Sequence, residues 1–294
     1  MLSAMTGGPG EAGGRAPLPA GIGKLGNEMQ QPSIDCHAHV FHRGLRLAPD
    51  RRYAPDYDAP LESYLQELDR HGMTHGVLVQ PSFLGTDNSY LVESLTAGRD
   101  RLRGIAVVDG ATSPPEYDVL DRAGVVGIRL NLIGRSLPDF AELAWRKLLS
   151  AVRHLDWHVE LQRNASGLVP LVPQLLDRGV TVVLDHFGLP DPSLGIRDPG
   201  FVSLLELGRS QMVFMKMSAA YRNGADGRAF AREAYPLLRE AFGLGRLLWG
   251  SDWPHTQFEA KETYESNRQF LDQLIADQQE RAQVLGAPRT LYRF

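Results

Sequence analysis

The residues best suited to acid–base or metal chemistry are histidines and aspartates at the ends of short apolar runs. Asp35-Cys36-His37-Ala38-His39 closes the first such run. Side chains alternate along an extended strand, so His37 and His39 must share a face. An H-x-H pair at that place suits divalent-metal binding or paired hydrogen bonding to a substrate. A later run ends in Asp185-His186-Phe187-Gly188, which puts His186 at the same end. By itself it would read as a satisfied core histidine. The last run ends in Trp249-Gly250-Ser251-Asp252-Trp253-Pro254-His255. A carboxylate between two tryptophans is expected to be partly desolvated, which raises its pKa and prepares it to accept a proton near neutral pH. Capping of the next helix is the plainer role for Asp252.

Arginines come next. Arg129 and Asn131 point inward on the fourth run if Ile128 and Leu130 face outward. Arg135 follows in the adjacent loop, and Arg222 follows the seventh run. Guanidinium groups are shaped to hold carboxylates in bidentate fashion, so together these residues point to an anionic substrate. Taken singly, each reads as a surface residue. Ser82, in the stretch QPSFLGTDN, adds a candidate hydroxyl from the end of the second run. His158 stands near the start of the fifth run, the wrong end for chemistry, and reads as structural. Glu160 shares its face and lies deeper, as a hidden acid, a ligand or a salt-bridge partner of Arg129. His42, His71, His75 and His154 are expected to be solvated.

Eight runs rich in β-branched and apolar residues position these groups: 33–40, 75–80, 104–109, 125–132, 157–162, 180–187, 212–218 and 246–252. The sixth is almost continuously apolar, as expected of a strand covered on both faces in a parallel sheet. Helical stripes lie between them. Leu61, Tyr64, Leu65 and Leu68 form one; Trp145, Leu148, Leu149, Val152 and Leu155 form another. Leu168, Leu171, Val172, Leu175 and Leu176 form a third, and such stripes are core faces. Eight strand–helix units in about 260 residues match a single (β/α)8 TIM barrel, whose catalytic groups sit at the carboxyl ends of the strands. A doubly wound open sheet is the competing α/β architecture. No G-x-G-x-x-G follows the first strand, which weakens its dinucleotide-binding form.

The 294 residues carry a formal charge of −4, with 43% hydrophobic and 22% charged residues. That is an ordinary globular profile, without the basic face of a nucleic-acid binder. One cysteine, Cys36, allows no intrachain disulfide and fits a reducing compartment. No run of about 18 apolar residues suggests a membrane span. Residues 1–32, rich in Gly, Ala and Pro, read as a disordered leader, and 33–294 as the barrel of a cytoplasmic protein. No oligomeric state is evident from the sequence.

The stretches IDCHAHVF, QPSFLGTDN, GIRLNL, WHVELQ, LDHFGLPD and LLWGSDWPHT occur in that order. Together they resemble the 2-pyrone-4,6-dicarboxylate lactonases of the amidohydrolase superfamily, over essentially 33–294. The resemblance implies a hydrolase that opens a cyclic ester on a small carboxylated substrate. It implies catalytic roles for His37, His39 and His186, with Asp252 activating water. It also implies that Ser82, Arg129, Arg135 and Arg222 contact substrate carboxylates. These lactonases need no metal, whereas much of the superfamily uses one or two divalent ions. If zinc were bound, His37, His39, His186 and Asp252 would be its ligands; no lysine or glutamate metal bridge is evident. Two positions depart from the pattern: Leu189 stands where an arginine is expected, and Gln162 where a tyrosine is. The alternatives are a zinc-dependent amidohydrolase or nonoxidative decarboxylase on the same barrel, or a non-catalytic barrel binding a small carboxylate.

Overall fold

The computed structural model describes residues 32–294; the expected leader lies outside them apart from Pro32. Eight parallel strands are described: β1 Ile34–Ala38, β2 His75–Val79, β3 Leu102–Ala106, β4 Val125–Asn131, β5 His158–Gln162, β6 Val182–Leu184, β7 Val213–Ser218 and β8 Leu247–Gly250. Each pairs with the next in chain order. The ring closes between β8 and β1. There Ala38 bridges Trp253 in parallel, Asp252 N–H donates to His37 C=O at 2.8 Å, and His39 N–H donates to Trp253 C=O at 2.7 Å. The architecture is the (β/α)8 barrel expected from the alternation of runs.

Helices cover the outside. α1 Leu61–Arg70, α2 Ser89–Ala97, α3 Pro114–Ala123 and α4 Leu143–His154 follow the first four strands. α5 Ala165–Leu168, α6 Val172–Leu176, α7 Pro199–Leu207 and α8 Gly227–Phe242 follow the next three. α9 Tyr264–Leu274, α10 Gln278–Gly286 and α11 Pro288–Tyr292 complete the chain. The α1 stripe buries Leu61, Tyr64 and Leu68. The stripe expected from Leu168 to Leu176 splits into α5 and α6, with Pro170 between them. Proline cannot supply the backbone donor that a continuous helix needs there.

Alternation sorts each strand into an outer apolar face and a varied inner one. Ile128, Leu130, Val159, Leu161, Met215 and Met217 belong to the main core shared with the helices. Ile34, Cys36, Val77, Val79, Ile105, Val183 and Leu248 fill the barrel interior together with Tyr292 from α11. Opposite this aliphatic lining, β4, β5 and β7 turn charged groups inward. β1 breaks strict alternation. Asp35 pairs with Gly76 and Ala38 with Leu78, so β1 spends one residue more than β2 over that interval. Such a bulge re-aims side chains, and here Cys36, His37 and His39 all reach the interior side.

Candidate active site

Four atoms from three strand ends converge at the carboxyl end of the barrel. Asp252 Oδ1 lies 3.6 Å from His37 Nε2, 3.8 Å from His39 Nε2 and 4.0 Å from His186 Nε2. All four side chains are almost fully buried. Asp252 and His186 adopt left-handed backbone conformations, with φ of 60° and 52°. That region costs a non-glycine residue of order 1 kcal/mol and is found where a site over-determines the backbone.

The two oxygens of Asp252 have different company. Oδ2 accepts from Tyr221 Oη at 2.6 Å and from Arg222 Nε at 2.8 Å. Among the described residues, neither Oδ1 nor His37 Nε2 has a hydrogen-bond partner. Burial pushes the Asp252 carboxyl up, but the Arg222 guanidinium and the surrounding imidazoles outweigh it and hold the group well below the usual carboxylate range. The expectation that desolvation would raise this pKa is therefore overturned, because an arginine sits against the same carboxylate. Burial also keeps the histidines neutral at pH 7: His39 and His186 fall to about 4, and His37 is well below its ordinary value.

Beneath this layer lies an ionic network. Arg129 Nε donates to Asp185 Oδ2 at 3.0 Å, and Arg129 Nη2 donates to Gln162 Oε1 at 2.8 Å. Lys216, fully buried on β7, donates to Glu160 Oε2 at 2.5 Å. Glu160 Oε1 also accepts from Tyr292 Oη at 2.9 Å and lies 3.4 Å from His158 Nε2. The salt bridge considered between Glu160 and Arg129 does not form, although their strands pair: Glu160 is taken by Lys216 on β7 and Arg129 by Asp185 at the end of β6. His158 sits at the lower end of β5, as read from the sequence.

The remaining candidates divide between two spaces. A pocket of 320 Å³ is lined by His39, His186, Asp252, Arg129, Arg222 and Ser82, among others including Gln162 and Leu189. Above it a wider cavity of 1140 Å³ is bordered by Arg46, Arg51, Arg52 and Arg135. Arg135 borders only this outer space, where it pairs with Asp50, both largely exposed. Arg222, expected to hold substrate, is already committed to Asp252. His71 is not solvated: its side chain is 7% exposed and stacks on Tyr264 at 4.7 Å. Lys216 and Tyr221 were not singled out in the sequence. The signal for Lys216 was there, a lysine on the Phe214–Ser218 face of an apolar strand.

A zinc ion bound tetrahedrally would hold its donors about 3.4 Å apart. The Nε2–Oδ1 separations are slightly wider, and His37, His39 and Asp252 form a cluster that could hold a metal. His39 fits, because its Nδ1 lies 2.7 Å from the Val79 carbonyl. That contact puts the proton on Nδ1 and leaves Nε2 bare, the usual state of a ligating histidine. His37 does not fit. Its Nδ1 faces Lys216 Nζ at 3.1 Å, and an ammonium can only donate. The His37 proton is thereby placed on Nε2, the atom a metal would need. Spacing admits an ion; hydrogen bonding opposes it.

The amidohydrolase family model matches residues 34–294. This chain belongs to the amidohydrolase family. The amidohydrolase is 31% identical over 236 residues to the 2-pyrone-4,6-dicarboxylate hydrolase of Comamonas testosteroni, covering 76% of this chain and 77% of the relative. It is 25% identical to the 4-sulfomuconolactone hydrolase of Hydrogenophaga intermedia, covering 90% of this chain and 89% of that one. Among solved structures, it is similar to a probable 2-pyrone-4,6-dicarboxylic acid hydrolase from Acinetobacter baumannii with citric acid bound. That match has 42% identity and a TM-score of 0.86, over 89% of this chain and 99% of the other.

Proposed function

We propose that this amidohydrolase opens the ring of a small lactone carrying at least one carboxylate, of the 2-pyrone-4,6-dicarboxylate class, and needs no metal ion. The observation that carries this reading is the bare Oδ1 of Asp252, surrounded by three imidazole Nε2 atoms. With Oδ2 held by Tyr221 and Arg222, only Oδ1 is free to take a proton from water. That water attacks the lactone carbonyl, and the ring C–O bond breaks as the tetrahedral intermediate collapses, the leaving ring oxygen taking the proton that Asp252 received from water. His37 donates from Nε2–H to the oxygen that gains charge, in a site where burial strengthens each polar contact. Neutral His39, with its Nε2 bare, is suited to accept from the attacking water. Arg129 and Ser82 line the pocket and hold the substrate's carboxylate, which removes much of the entropic barrier to attack.

Three lines support the substrate class: the arginine-lined pocket, the names of the relatives and the citric acid bound in the Acinetobacter structure. Leu189 and Gln162 line the pocket with an apolar group and a neutral amide where the pattern has an arginine and a tyrosine, so another carboxylated lactone is compatible with the same site. The test is loss of lactone-ring absorbance when the purified protein meets 2-pyrone-4,6-dicarboxylate or 4-sulfomuconolactone, with and without chelator. Turnover of either that is unchanged by chelator is expected. Absence of turnover on both would overturn the substrate class. The four-atom spacing favours a second reading, a zinc-dependent hydrolase, which loss of activity on chelation and its return with zinc would establish.

A further inference from the structure

Lys216 takes no part in the reaction as outlined, yet it is fully buried and central. Its Nζ touches three groups: Glu160 Oε2 at 2.5 Å, His37 Nδ1 at 3.1 Å and Asp185 Oδ1 at 3.5 Å. An ion pair with Glu160 alone would explain its charge but not its reach to an imidazole nitrogen on β1, two strands further round the ring. The arrangement forms a line from Lys216 Nζ through the His37 ring to Asp252 Oδ1.

The proton of neutral His37 has two places to go. On Nδ1 it would face Asp185 Oδ1 at 3.5 Å, an oxygen without another hydrogen-bond partner among the described residues. It would then meet the ammonium head-on, donor to donor. His37 Nε2 would also join the bare His39 Nε2 as a second lone pair facing Asp252 Oδ1, leaving that buried oxygen without a donor from either ring. On Nε2 the proton points toward Asp252 Oδ1, and Nδ1 accepts from Lys216. The ionic partners balance around it: Lys216 with Glu160, Arg129 with Asp185 and Arg222 with Asp252. No further charge is required of the ring.

We propose that Lys216 is a positioning residue that fixes the His37 tautomer, keeping an N–H rather than a lone pair aimed at the reacting centre. Lys216 thereby makes the four-atom cluster a hydrogen-bonding site instead of a metal site. This rests on the reading of His37 and Asp252 as the reacting groups, but its first readout needs no substrate.

Nitrogen-15 NMR of the full chain labelled in the histidine rings, near pH 7.5, reads the tautomer directly. The His37 signals are assigned by their loss in His37→Gln. The wild type is expected to show a protonated Nε2 and a bare Nδ1 at His37. A protonated Nδ1 overturns the proposal outright, whether or not any lactone is turned over. Lys216→Met is expected to move the proton to Nδ1 and to tighten zinc binding at least about tenfold in equilibrium dialysis, since the bared Nε2 becomes a ligand. In lactone hydrolysis without zinc it is expected to lower kcat about 100-fold while changing KM little, as loss of one preorganised donor does. Glu160→Gln disturbs the same buried pair but leaves the ammonium beside His37, so the His37 proton stays on Nε2. If both variants lose stability and neither moves the proton, Lys216 is only structural and the proposal fails. Should Lys216→Met not fold, the wild-type spectrum still decides.

Discussion

Asp252 illustrates how neighbours divide the work of one side chain. Tyr221 and Arg222 saturate Oδ2 and lower the carboxyl's proton affinity, while Oδ1 stays bare toward the histidines. Tyr221→Phe removes one donor from Oδ2. We expect kcat to fall about 10-fold, in line with the loss of a hydrogen bond to a charged group, and the acid limb of the pH–rate profile to move upward. Measured kcat across pH 3–8 checks both. Asp252→Asn suits a test of the proton acceptor, since asparagine tolerates the left-handed backbone found there. It should fold with a melting temperature near that of the wild type and lose at least about 1000-fold in kcat, consistent with removal of a general base. Arg129→Met tests a different quantity. It leaves Asp185 buried beside Lys216 alone and should destabilise the protein by about 3–5 kcal/mol in urea unfolding, the usual cost of breaking a buried pair.

The meeting of β8 with β1 is the element-scale feature on which the site depends. Both His37 and Asp252 lie at this seam, joined by the Asp252 N–H to His37 C=O hydrogen bond. Asp35 reinforces it from behind by accepting from Ser251 N–H at 2.9 Å and Ser251 Oγ at 2.6 Å. Gly250 lets the strands approach: a Cβ there would come within 2.6 Å of His37 Cβ and 2.9 Å of its backbone N. Gly250→Ala must push the seam apart, at an overpacking cost of about 1–3 kcal/mol, and displace His37 from Asp252. We expect a lowered melting temperature and a larger proportional loss of kcat. Gly245→Ala, where a Cβ meets nothing within 4 Å among the described residues, is the control and should match the wild type in both.

At the scale of the molecule, burying neutral histidines makes stability depend on pH. His39 and His186 have folded pKa values of about 4, against about 6.5 for an unfolded histidine. Between these values the unfolded chain binds more protons, so stability rises with pH through that window. Their contribution is complete above pH 6.5 and lost progressively on acidification toward 4. The depressed carboxyls of Asp252, Asp185 and Glu160 act in the same direction, their contributions being lost further down as unfolded carboxylates protonate near 4. Urea midpoints should fall from pH 7 to pH 5 by more than exposed groups would produce. A flat profile would mean that the histidines are charged in the folded protein.

Much of the fold was legible in the chain because period-2 and helical hydrophobic patterns are local properties. The eight runs overlap the eight strands, and the inward placement of Arg129 follows from Ile128 and Leu130 alone. Strand ends were less legible: the third run was placed at 104–109, whereas β3 begins at Leu102. Hydrogen bonding to neighbours, not composition, sets where pairing starts. Which polar residues stand at strand ends was also written in the sequence, and His37, His39, His186 and Asp252 do meet there. Their electrostatics were not. The direction of the Asp252 pKa, the partner of Glu160 and the proton on His37 all depend on groups brought together from remote strands. Arg222 lies 30 residues from Asp252, and Lys216 lies 179 from His37. Coulomb energies and hydrogen bonds act over a few ångströms of space, so only closure of the barrel could decide them.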